Sequence, residues 1–255
     1  MKSETPQAAH DWSKHKWVEP EKLIKEQQDL EKFKKSQSHN EYMNFVMALQ
    51  HSVEGKGASK TQLSPKFKLF IELIQRLNKL VDEVPPIQQK MRFGNTAFKT
   101  WHQKAMEIGN EFFDKYLPEA VKGSKTELLV YFMDSFGSNV RLDYGTGHEL
   151  NFAQILFCLR KMGVYGDEDY ESAVHHVFFG YIKLMRKIQT VYWLEPAGSQ
   201  GVWGLDDHHF LPFLFGAAEL IGHEEAKLPN AIHNEALLDS MSDDYMYMSK
   251  LESHS

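Results

Sequence analysis

The sequence predicts an all-α fold, and three observations support this class. Apolar residues recur at three- and four-residue steps through most of the 255-residue chain, as they do on one face of an α-helix. Stretches in which apolar and polar residues strictly alternate, the pattern of a half-buried strand, are few. No internal repeat or low-complexity block is visible, which argues against a solenoid. We therefore expect one compact body of several long helices.

The first predicted helix begins at Pro20, because proline is favoured in the first turn of a helix. Leu23, Leu30 and Phe33 then lie on one narrow stripe, and lysines and glutamates occupy the other positions. A second helix is predicted over residues 40–53, and the glycine, serine and lysine residues that follow it predict an exposed loop.

The clearest helix in the sequence follows Ser64. Ser64 is a favourable N-cap, and Pro65 is suited to the first helical position. The helix must end before Pro85 and Pro86, since proline lacks the N–H that a helix requires. The apolar positions that recur between these limits are Phe67, Phe70, Ile71, Ile74, Leu77 and Val81.

Four further segments have helical periodicity. Before the first of them, Asn95 or Thr96 is placed to cap a helix, with Phe98 and Trp101 facing inward. In the last of them His175 and His176 are adjacent, so their rings point about 100° apart and cannot readily share a metal; we interpret both as packing residues. The four predicted helices cover residues 97–116, 126–136, 149–162 and 170–192.

Composition excludes several classes of protein. A hydrophobic content of 42% is enough to build a core, and the net charge of −6 disfavours a dedicated nucleic-acid binder, because phosphate contacts need a basic surface. Residues 1–17 lack the apolar region of a secretory signal, and residues 210–221 are too short to span a bilayer. We expect no membrane partner and a location in the cytoplasm and nucleus. The single cysteine, Cys158, excludes an intramolecular disulfide and a thiolate zinc cluster.

Two glycine-bearing stretches are the candidate sites. The first, GSNVRLDYGTGHE at residues 137–149, combines closely spaced glycines with the start of a helix, and such a turn can offer backbone N–H groups to an anion. Arg141 could add a bidentate charge and Thr146 a hydroxyl. The stretch lacks the Gly-Lys-Ser/Thr ending of a P-loop, and Phe152 stands where a zinc motif beginning at His148 would need a histidine. The alternative interpretation is a tight turn before a helix, with Glu149 favourably placed for the helix dipole in the first helical turn.

The second stretch, EPAGSQGVWGLDDHHFLPF at residues 195–213, places Val202 and Trp203 among glycines. A tryptophan in such a loop either fills a core or anchors a partner. A helix is predicted to start at about Asp206. The aspartates and histidines of residues 206–209 can bind a divalent cation such as magnesium, or the aspartates can cap the helix. Both interpretations are open from the residues alone.

At these residues the chain resembles the phosphotyrosyl phosphatase activator family, also described as protein phosphatase 2A activators with peptidyl-prolyl cis-trans isomerase activity. The similarity lies in four long sequence motifs of uncommon composition. They are RFGNTAFKTWH at residues 92–102, VRLDYGTGHE at 140–149, EPAGSQGVWGLDD at 195–207 and FLPFLFGAAELIGH at 210–223.

The resemblance implies a compact, all-helical fold and a protein that binds the scaffold and catalytic subunits of the phosphatase. ATP and magnesium would support activation, and a proline-containing peptide of the catalytic subunit would be the isomerase substrate. Rotation of a prolyl amide over its barrier of about 20 kcal/mol needs no nucleophile, which agrees with the lack of a recognisable nucleophile and base pair. The site residues implied by the resemblance are Arg141, Thr146 and Gly147 for the nucleotide, Gly201 and Asp207 for magnesium, and Tyr144, Val202 and Trp203 for the groove that holds the partner.

The resemblance also predicts a domain organisation. Residues 1–19 form a flexible N-terminal segment, residues 20–245 the helical activator domain, and residues 246–255 a divergent tail in place of the family's last helices. This ending predicts a shortened form with exposed apolar surface. Two alternatives to an enzyme follow: a non-catalytic helical adaptor or chaperone that binds the phosphatase subunits, and an inactive shortened isoform.

Overall fold

The computed structural model describes residues 10–90, 94–198, 208–226, 231 and 233–252 of the chain. Within these residues the secondary structure is almost entirely helical, so the predicted all-α class is confirmed. The exception is a pair of two-residue strands, β1 (Asp143–Tyr144) and β2 (Glu195–Pro196), which run parallel to each other. In the described part of the chain, no helix is both long and apolar enough to cross a membrane.

The α-helices are described in chain order. The first six are α1 (Gln27–Lys34), α2 (Gln37–Ser52), α3 (Lys68–Glu83), α4 (Ala97–Tyr116), α5 (Lys125–Asp134) and α6 (Thr146–Lys161). The others are α7 (Tyr170–Ser172), α8 (Phe179–Tyr192), α9 (Leu211–Glu219), α10 (Glu235–Met241) and α11 (Met246–Glu252). A π-helical segment, Ala173–Phe178, joins α7 to α8, and short 3₁₀ turns occur between several of the helices.

The first helix begins later than the sequence predicts. The expectation was a start at Pro20, whereas α1 begins at Gln27 and residues 20–25 are not helical. The carboxylate of Asp29 accepts hydrogen bonds from the backbone N–H groups of Lys25 and Glu26, both at 3.2 Å. These bonds satisfy donors at the helix start and so fix its position, which overrides the preference of proline for a first turn.

The boundaries around α3 and α4 agree with the prediction. The hydroxyl of Ser64 accepts a hydrogen bond from the N–H of Lys66, a 3₁₀ turn leads into α3, and the helix ends at Val84 before the two prolines. Thr96 is the N-cap position of α4, and the side chain of Asn95 before it provides the hydrogen bond at the helix start, since its Oδ1 accepts from the N–H of Ala97 at 3.0 Å. Phe98 and Trp101 are fully buried, as expected.

Other predicted boundaries shift by a few residues. Helix α5 ends two residues before residue 136, and α6 begins at Thr146, three residues before the predicted start at 149. The run over residues 170–192 is helical throughout but contains the π-helical segment, which the periodicity of apolar residues does not reveal. Such segments are rare and occur frequently at functional sites.

The prediction of a helix from about Asp206 is corrected by the structure. Residues 208–210 are not helical, and α9 begins at Leu211. The N–H groups at its start donate to the carboxylate of Glu149, a residue of α6, rather than to a local aspartate. A partner from another helix therefore decides where α9 begins.

The core is built mainly from α3, α4, α5, α6 and α8, which pack side by side. Aromatic rings fill its centre: Phe152 of α6 and Tyr181 of α8 stack with ring centroids 3.8 Å apart. A second, smaller apolar cluster is formed by Ala226, Ala231, Leu238, Met241, Tyr245 and Met248. This cluster holds α10 and α11 together beside α9.

Both ends of the described chain pack against the body. Trp17 lies over Gly123, so close that a Cβ on this glycine would be 2.2 Å from the indole, and the N–H of Val18 donates to Glu127. At the other end Met246 is fully buried in the main core. Trp17, Val18 and Met246 thus contact the folded body; the predicted domain boundaries at residues 19 and 245 stay a prediction.

Candidate functional site

The two glycine-bearing stretches lie side by side in the structure. Strand β1 belongs to the first and β2 to the second, with Asp143 opposite Glu195 and Tyr144 opposite Pro196. The N–H of Glu195 donates to the carbonyl of Leu142 at 3.1 Å, and the N–H of Ala197 donates to the carbonyl of Tyr144 at 2.7 Å. The two candidate sites of the sequence are therefore neighbouring walls of one region, defined here as residues 138–149 with 195–198 and 208–211 and called the two-loop site.

Arg141 projects from the two-loop site with its guanidinium held by one carboxylate. Its Nε and one Nη donate to the two carboxylate oxygens of Asp143 at 2.6 and 3.0 Å. The side chain of Arg141 remains 61% exposed, so its other N–H groups face solvent. These hydrogen bonds to the Asp143 carboxylate raise the pKa of Arg141 further, which keeps the guanidinium charged. The pair can contact an anion, but its net charge is close to zero.

Leu142 follows in a left-handed backbone conformation, with φ of 58°. This conformation is costly for a residue with a branched side chain. It is held because the buried Leu142 side chain packs on Gly94, where a Cβ would lie 2.7 Å from that of Leu142. Gly94 is itself left-handed, and its N–H donates to the carbonyl of Trp193, another residue with positive φ. Gly94, Leu142 and Trp193, all with positive φ, therefore lie together next to the start of β1.

The N-terminus of α6 forms the exposed edge of the two-loop site. Gly145 is its N-cap in an extended conformation, and Thr146 and Gly147 are the first two helical residues, both exposed. A Cβ on Gly147 would meet no atom within 4 Å, so the space beside it is open. The first N–H groups of a helix have no acceptor within the helix and carry a partial positive charge. Thr146 and Gly147 therefore have the geometry that a phosphate group requires.

Tyr144 lies in the core, although the resemblance places it in a partner groove. Its side chain has no exposed surface, and its hydroxyl is 2.8 Å from the hydroxyl of Tyr181, which donates to the carbonyl of Ser135. Since the Tyr181 proton is used in that bond, Tyr144 donates to Tyr181. Burial raises the pKa of Tyr144 well above its usual range, so the phenol stays neutral. Tyr144 supports the two-loop site from beneath.

Glu149, the last residue of the first stretch, contacts residues near the end of the second stretch. Its side chain is buried in the first turn of α6, and its Oε2 accepts from the N–H groups of Phe210 and Leu211 at 2.8 and 3.0 Å. Its Oε1 is 3.3 Å from Nδ1 of His209, which is also 3.3 Å from the Tyr144 hydroxyl. A buried carboxylate with these partners fixes residues 208–211 against α6.

The sequence did not reveal this role of Glu149. From its position we expected only a favourable interaction with the helix dipole, because nothing in the local pattern shows that α9 packs across the start of α6. The partners of Tyr144, His209 and Tyr181, were likewise missed. A buried carboxylate in a first helical turn is found only when the tertiary structure is known.

Several predicted site residues fall outside the described part of the chain. They are Gly201 and Asp207 of the magnesium prediction and Val202 and Trp203 of the groove prediction. Gly198 and His208, the described residues that flank them, belong to the two-loop site. Among the described residues, no group of three or more histidine, cysteine, aspartate or glutamate side chains could hold a metal ion.

Exposed apolar side chains surround the two-loop site. Val140 precedes Arg141, Leu150 follows Glu149, and Phe210 lies where residues 208–211 join α9. Trp193, whose carbonyl binds Gly94, is half exposed before β2. Large exposed apolar groups near a polar site are typical of protein-binding surfaces.

Comparisons with known proteins agree on one family. The family model described as "Phosphotyrosyl phosphate activator (PTPA) protein" matches residues 20–253. The chain is 37% identical over 239 residues to the "Probable serine/threonine-protein phosphatase 2A activator 1" of Dictyostelium discoideum, covering 93% of this chain and 74% of that protein. It is 42% identical over 235 residues to the "Serine/threonine-protein phosphatase 2A activator 2" of Cryptococcus neoformans, covering 91% of this chain and 61% of that protein.

A solved structure is similar as well. The crystal structure of the PP2A phosphatase activator Ypa1 (PTPA1) superposes with a TM-score of 0.80 at 28% sequence identity. The similarity covers 96% of this chain and 78% of the other. The chain thus spans from about three fifths to about three quarters of the length of these proteins.

Proposed function

Because this chain belongs to the PTPA family, we propose that it activates serine/threonine-protein phosphatase 2A. The observation that carries the proposal is the match of the family model over residues 20–253, together with relatives that are named as activators of this phosphatase. The scaffold and catalytic subunits are the proposed partners, and the two-loop site with its apolar surroundings is the proposed contact surface.

The proposal includes ATP, with its phosphates at the N-terminus of α6. Gly147 leaves open space there, Thr146 offers an exposed hydroxyl, and the free N–H groups of Arg141 lie on the same stretch. The hydrogen bonds to Asp143 hold the Arg141 side chain in one orientation. These residues fit a phosphate, whose recognition relies on backbone N–H groups and planar guanidinium donors.

Magnesium is proposed at Gly201 and Asp207, beside the phosphates. The supporting observation is that Ala197 and Phe210, on either side of this segment, are both held against the first stretch, by hydrogen bonds to Tyr144 and to Glu149. A carboxylate next to a nucleotide phosphate is the usual ligand set for this ion, and the ion would neutralise phosphate charge.

We further propose prolyl isomerisation as the reaction, with a proline segment of the catalytic subunit as substrate. Val202 and Trp203 would contact the peptide, and the buried Tyr144 would support the surface beneath them. An amide can be rotated without a covalent step if the site binds the twisted form more tightly than the planar one. The neutral, hydrogen-bonded Tyr144 and Tyr181 provide a rigid base for such a surface.

A substitution at Gly147 tests the nucleotide part of the proposal. Since a side chain at this position meets open space, Gly147→Val should leave the fold intact and fill the place of a phosphate. We expect at least a tenfold loss of ATP affinity by calorimetry. Gln154→Val in the same helix is the control, because its side chain lies two turns from the N-terminus. Equal ATP affinity in the Gly147 variant and the unmodified chain would contradict this placement.

Activation is tested with the phosphatase itself. Purified scaffold and inactive catalytic subunits are incubated with the chain, with and without ATP and magnesium, and capture and phosphatase activity are measured. Capture followed by activation that needs both additions supports the proposal. Capture without activation would identify the chain as an adaptor, and no capture would remove the phosphatase as partner. Cis–trans exchange of a proline peptide, measured by NMR, tests the isomerase activity independently.

A further inference from the structure

A buried histidine and a buried glutamate that are not part of the two-loop site lie next to each other. His175 lies in the π-helical segment, and Glu219 is the last residue of α9. Nε2 of His175 is 3.3 Å from Oε1 of Glu219, and neither side chain has exposed surface. Among the described residues, neither of these two atoms has another hydrogen-bond partner. The sequence predicted His175 only as a packing residue, which its pairing with Glu219 corrects.

The hydrogen bonds on the other side of the ring fix one proton of His175. Oγ1 of Thr61 is 2.7 Å from Oε1 of Glu171 and 2.6 Å from Nδ1 of His175. Burial opposes ionisation of Glu171, but its bonds with Lys56 and Thr61 prevail and lower its pKa, so its carboxylate can only accept. Thr61 must donate its single proton to Glu171, and Nδ1–H of His175 must donate to Thr61.

One further proton then lies between Nε2 of His175 and Oε1 of Glu219. Without it, the lone pair of Nε2 would face an ionised carboxylate inside the protein, and neither Nε2 of His175 nor Oε1 of Glu219 would have a hydrogen bond. With two protons, the pair would carry an uncompensated buried positive charge. One shared proton gives a neutral pair with one hydrogen bond, whichever of the two atoms carries it.

The second oxygen of Glu219 connects this pair to the end of the described chain. Its Oε2 accepts from the N–H of Met246, the first residue of α11, at 2.7 Å. Helix α11 packs closely on α9, since a Cβ on Gly216 would lie 2.4 Å from the backbone nitrogen of Tyr247. We propose that His175 and Glu219 form a proton-binding site that couples the binding of one proton to the docking of α11 on α9.

Other charged groups around the pair favour retention of the proton. Burial is the main cause that raises the pKa of Glu219 and outweighs the lowering by His175 and the Met246 N–H, while the nearby carboxylate of Asp244, in the turn between α10 and α11, adds a smaller increase. Tyr245 of the same turn stays neutral, because burial raises its pKa too. On the side of α8, His176 binds the carbonyl of Thr61, and Lys183 is paired with Asp243.

His175 and several of the surrounding charged groups line a cleft of about 430 Å³. Its floor is apolar, and its rim includes His175, Lys183, Asp243 and Asp244. The turn between α10 and α11 forms one wall, and Asp244 binds this wall to the body through the N–H groups of Ala58 and Ser59. Release of α11 would therefore widen this cleft as well as expose Glu219.

The direction of the pH dependence follows from counting protons. An exposed glutamate and histidine, with ordinary pKa values of about 4.3 and 6.5, together hold one proton between these pH values and none above about 6.5. The docked pair keeps its proton above that pH, so docking takes up one proton. Docking should weaken about tenfold for each pH unit above about 6.5, and should not vary between about 4.3 and 6.5.

Hydrogen exchange of backbone amides measures this dependence directly. Protection factors, corrected for the intrinsic effect of pH, are recorded between pH 5.5 and 8.5 at Met246 and Ser249 by NMR. Ser249 is included because its N–H donates to Tyr245 within the hairpin of α10 and α11. The amide of Phe113, in the core helix α4, is the internal reference for global opening. We expect the α11 amides to lose protection about tenfold per unit above pH 6.5 relative to Phe113.

Glu219→Gln is the decisive variant. The glutamine amide can donate to His175 Nε2 and accept from the Met246 N–H without a shared proton. The variant should keep α11 docked and abolish the pH dependence above about pH 6.5. Glu225→Gln, an exposed residue close in sequence, is the matched control and should retain it. Constant wild-type protection from pH 6.5 to 8.5, or an unchanged slope in Glu219→Gln, overturns the proposal. If the glutamine variant fails to dock α11, the wild-type slope decides alone.

Discussion

Glu149 in α6 accepts hydrogen bonds from the N–H of Leu211, the first residue of α9, at 3.0 Å and from that of Phe210 at 2.8 Å. The carboxylate therefore caps a helix 62 residues later in the chain. These hydrogen bonds hold the end of the second glycine-bearing stretch against the end of the first. The fold itself therefore keeps the two stretches adjacent.

Removing this carboxylate should destabilise the protein. Glu149→Ala leaves the buried N–H of Leu211 and the part-buried N–H of Phe210 without their acceptor, and we expect a loss of about 3 kcal/mol in the free energy of unfolding by urea denaturation. Glu107→Ala, at an exposed position in α4, is the control and should change it by less than about 0.5 kcal/mol. Equal effects of the two substitutions would show that the cap contributes nothing to stability.

Two glycines in helices should respond oppositely to alanine. A Cβ on Gly109 of α4 would lie 2.4 Å from the ring of Phe132, which is fully buried between Phe113 and Phe136 and cannot move aside. Gly109→Ala should cost about 1–3 kcal/mol by overpacking.

At Gly180 of α8 the new methyl group would meet Ile74 at 3.4 Å, close to an ordinary contact. Gly180→Ala should therefore raise the free energy of unfolding by up to about 1 kcal/mol, because alanine is the better helix former. Thermal denaturation of both variants checks the pair. A stabilising Gly109→Ala would mean that α4 and α5 are less closely packed than described.

Cys158 should react slowly with thiol reagents in the folded protein. Burial is the main cause that raises its pKa to about 11, so at pH 8 the thiolate fraction is roughly a hundredfold below that of an ordinary cysteine. Reaction with a chromogenic disulfide, followed by absorbance, should accelerate at least that much in urea. The raised pKa means that the folded state binds this proton more tightly, so its contribution to stability is full below about pH 8.5 and is lost as the pH rises towards 11. Rapid reaction of the native chain would show that the partly buried Cys158 is not protected by the fold.

Asn95 should be much more sensitive than an ordinary helix asparagine. It is fully buried, its amide donates to the carbonyl of Ile87, and its Oδ1 accepts from the N–H groups of Ile87 and Ala97. Asn95→Ala should lower the free energy of unfolding by about 2–4 kcal/mol, since buried polar groups lose their partners. Asn110→Ala, whose amide binds only Met106 within its own helix, is the matched control and should cost less than about 0.5 kcal/mol. Similar losses would contradict the role of Asn95.

Local patterns predicted the helices well where the determinants are themselves local. Ser64 with Pro65, the two prolines after α3, and the boundaries of α4 depend on residues within a few positions of each helix end. The starts of α1 and α9 were placed too early, because Asp29 and Glu149 provide hydrogen bonds that proline and aspartate preferences do not include. The π-helical segment has the same apolar periodicity as its neighbours, so the sequence could not distinguish it.

The sequence by itself determined the all-α class, the family and the two stretches that carry the candidate site, because helical periodicity and rare sequence words are properties of neighbouring residues. Only the tertiary structure decided that β1 and β2 join these stretches, that Tyr144 is buried beneath them, and that His175 faces Glu219. These relationships depend on contacts between residues far apart in the chain. Their energies come from burial and from hydrogen bonds that form only when the helices pack.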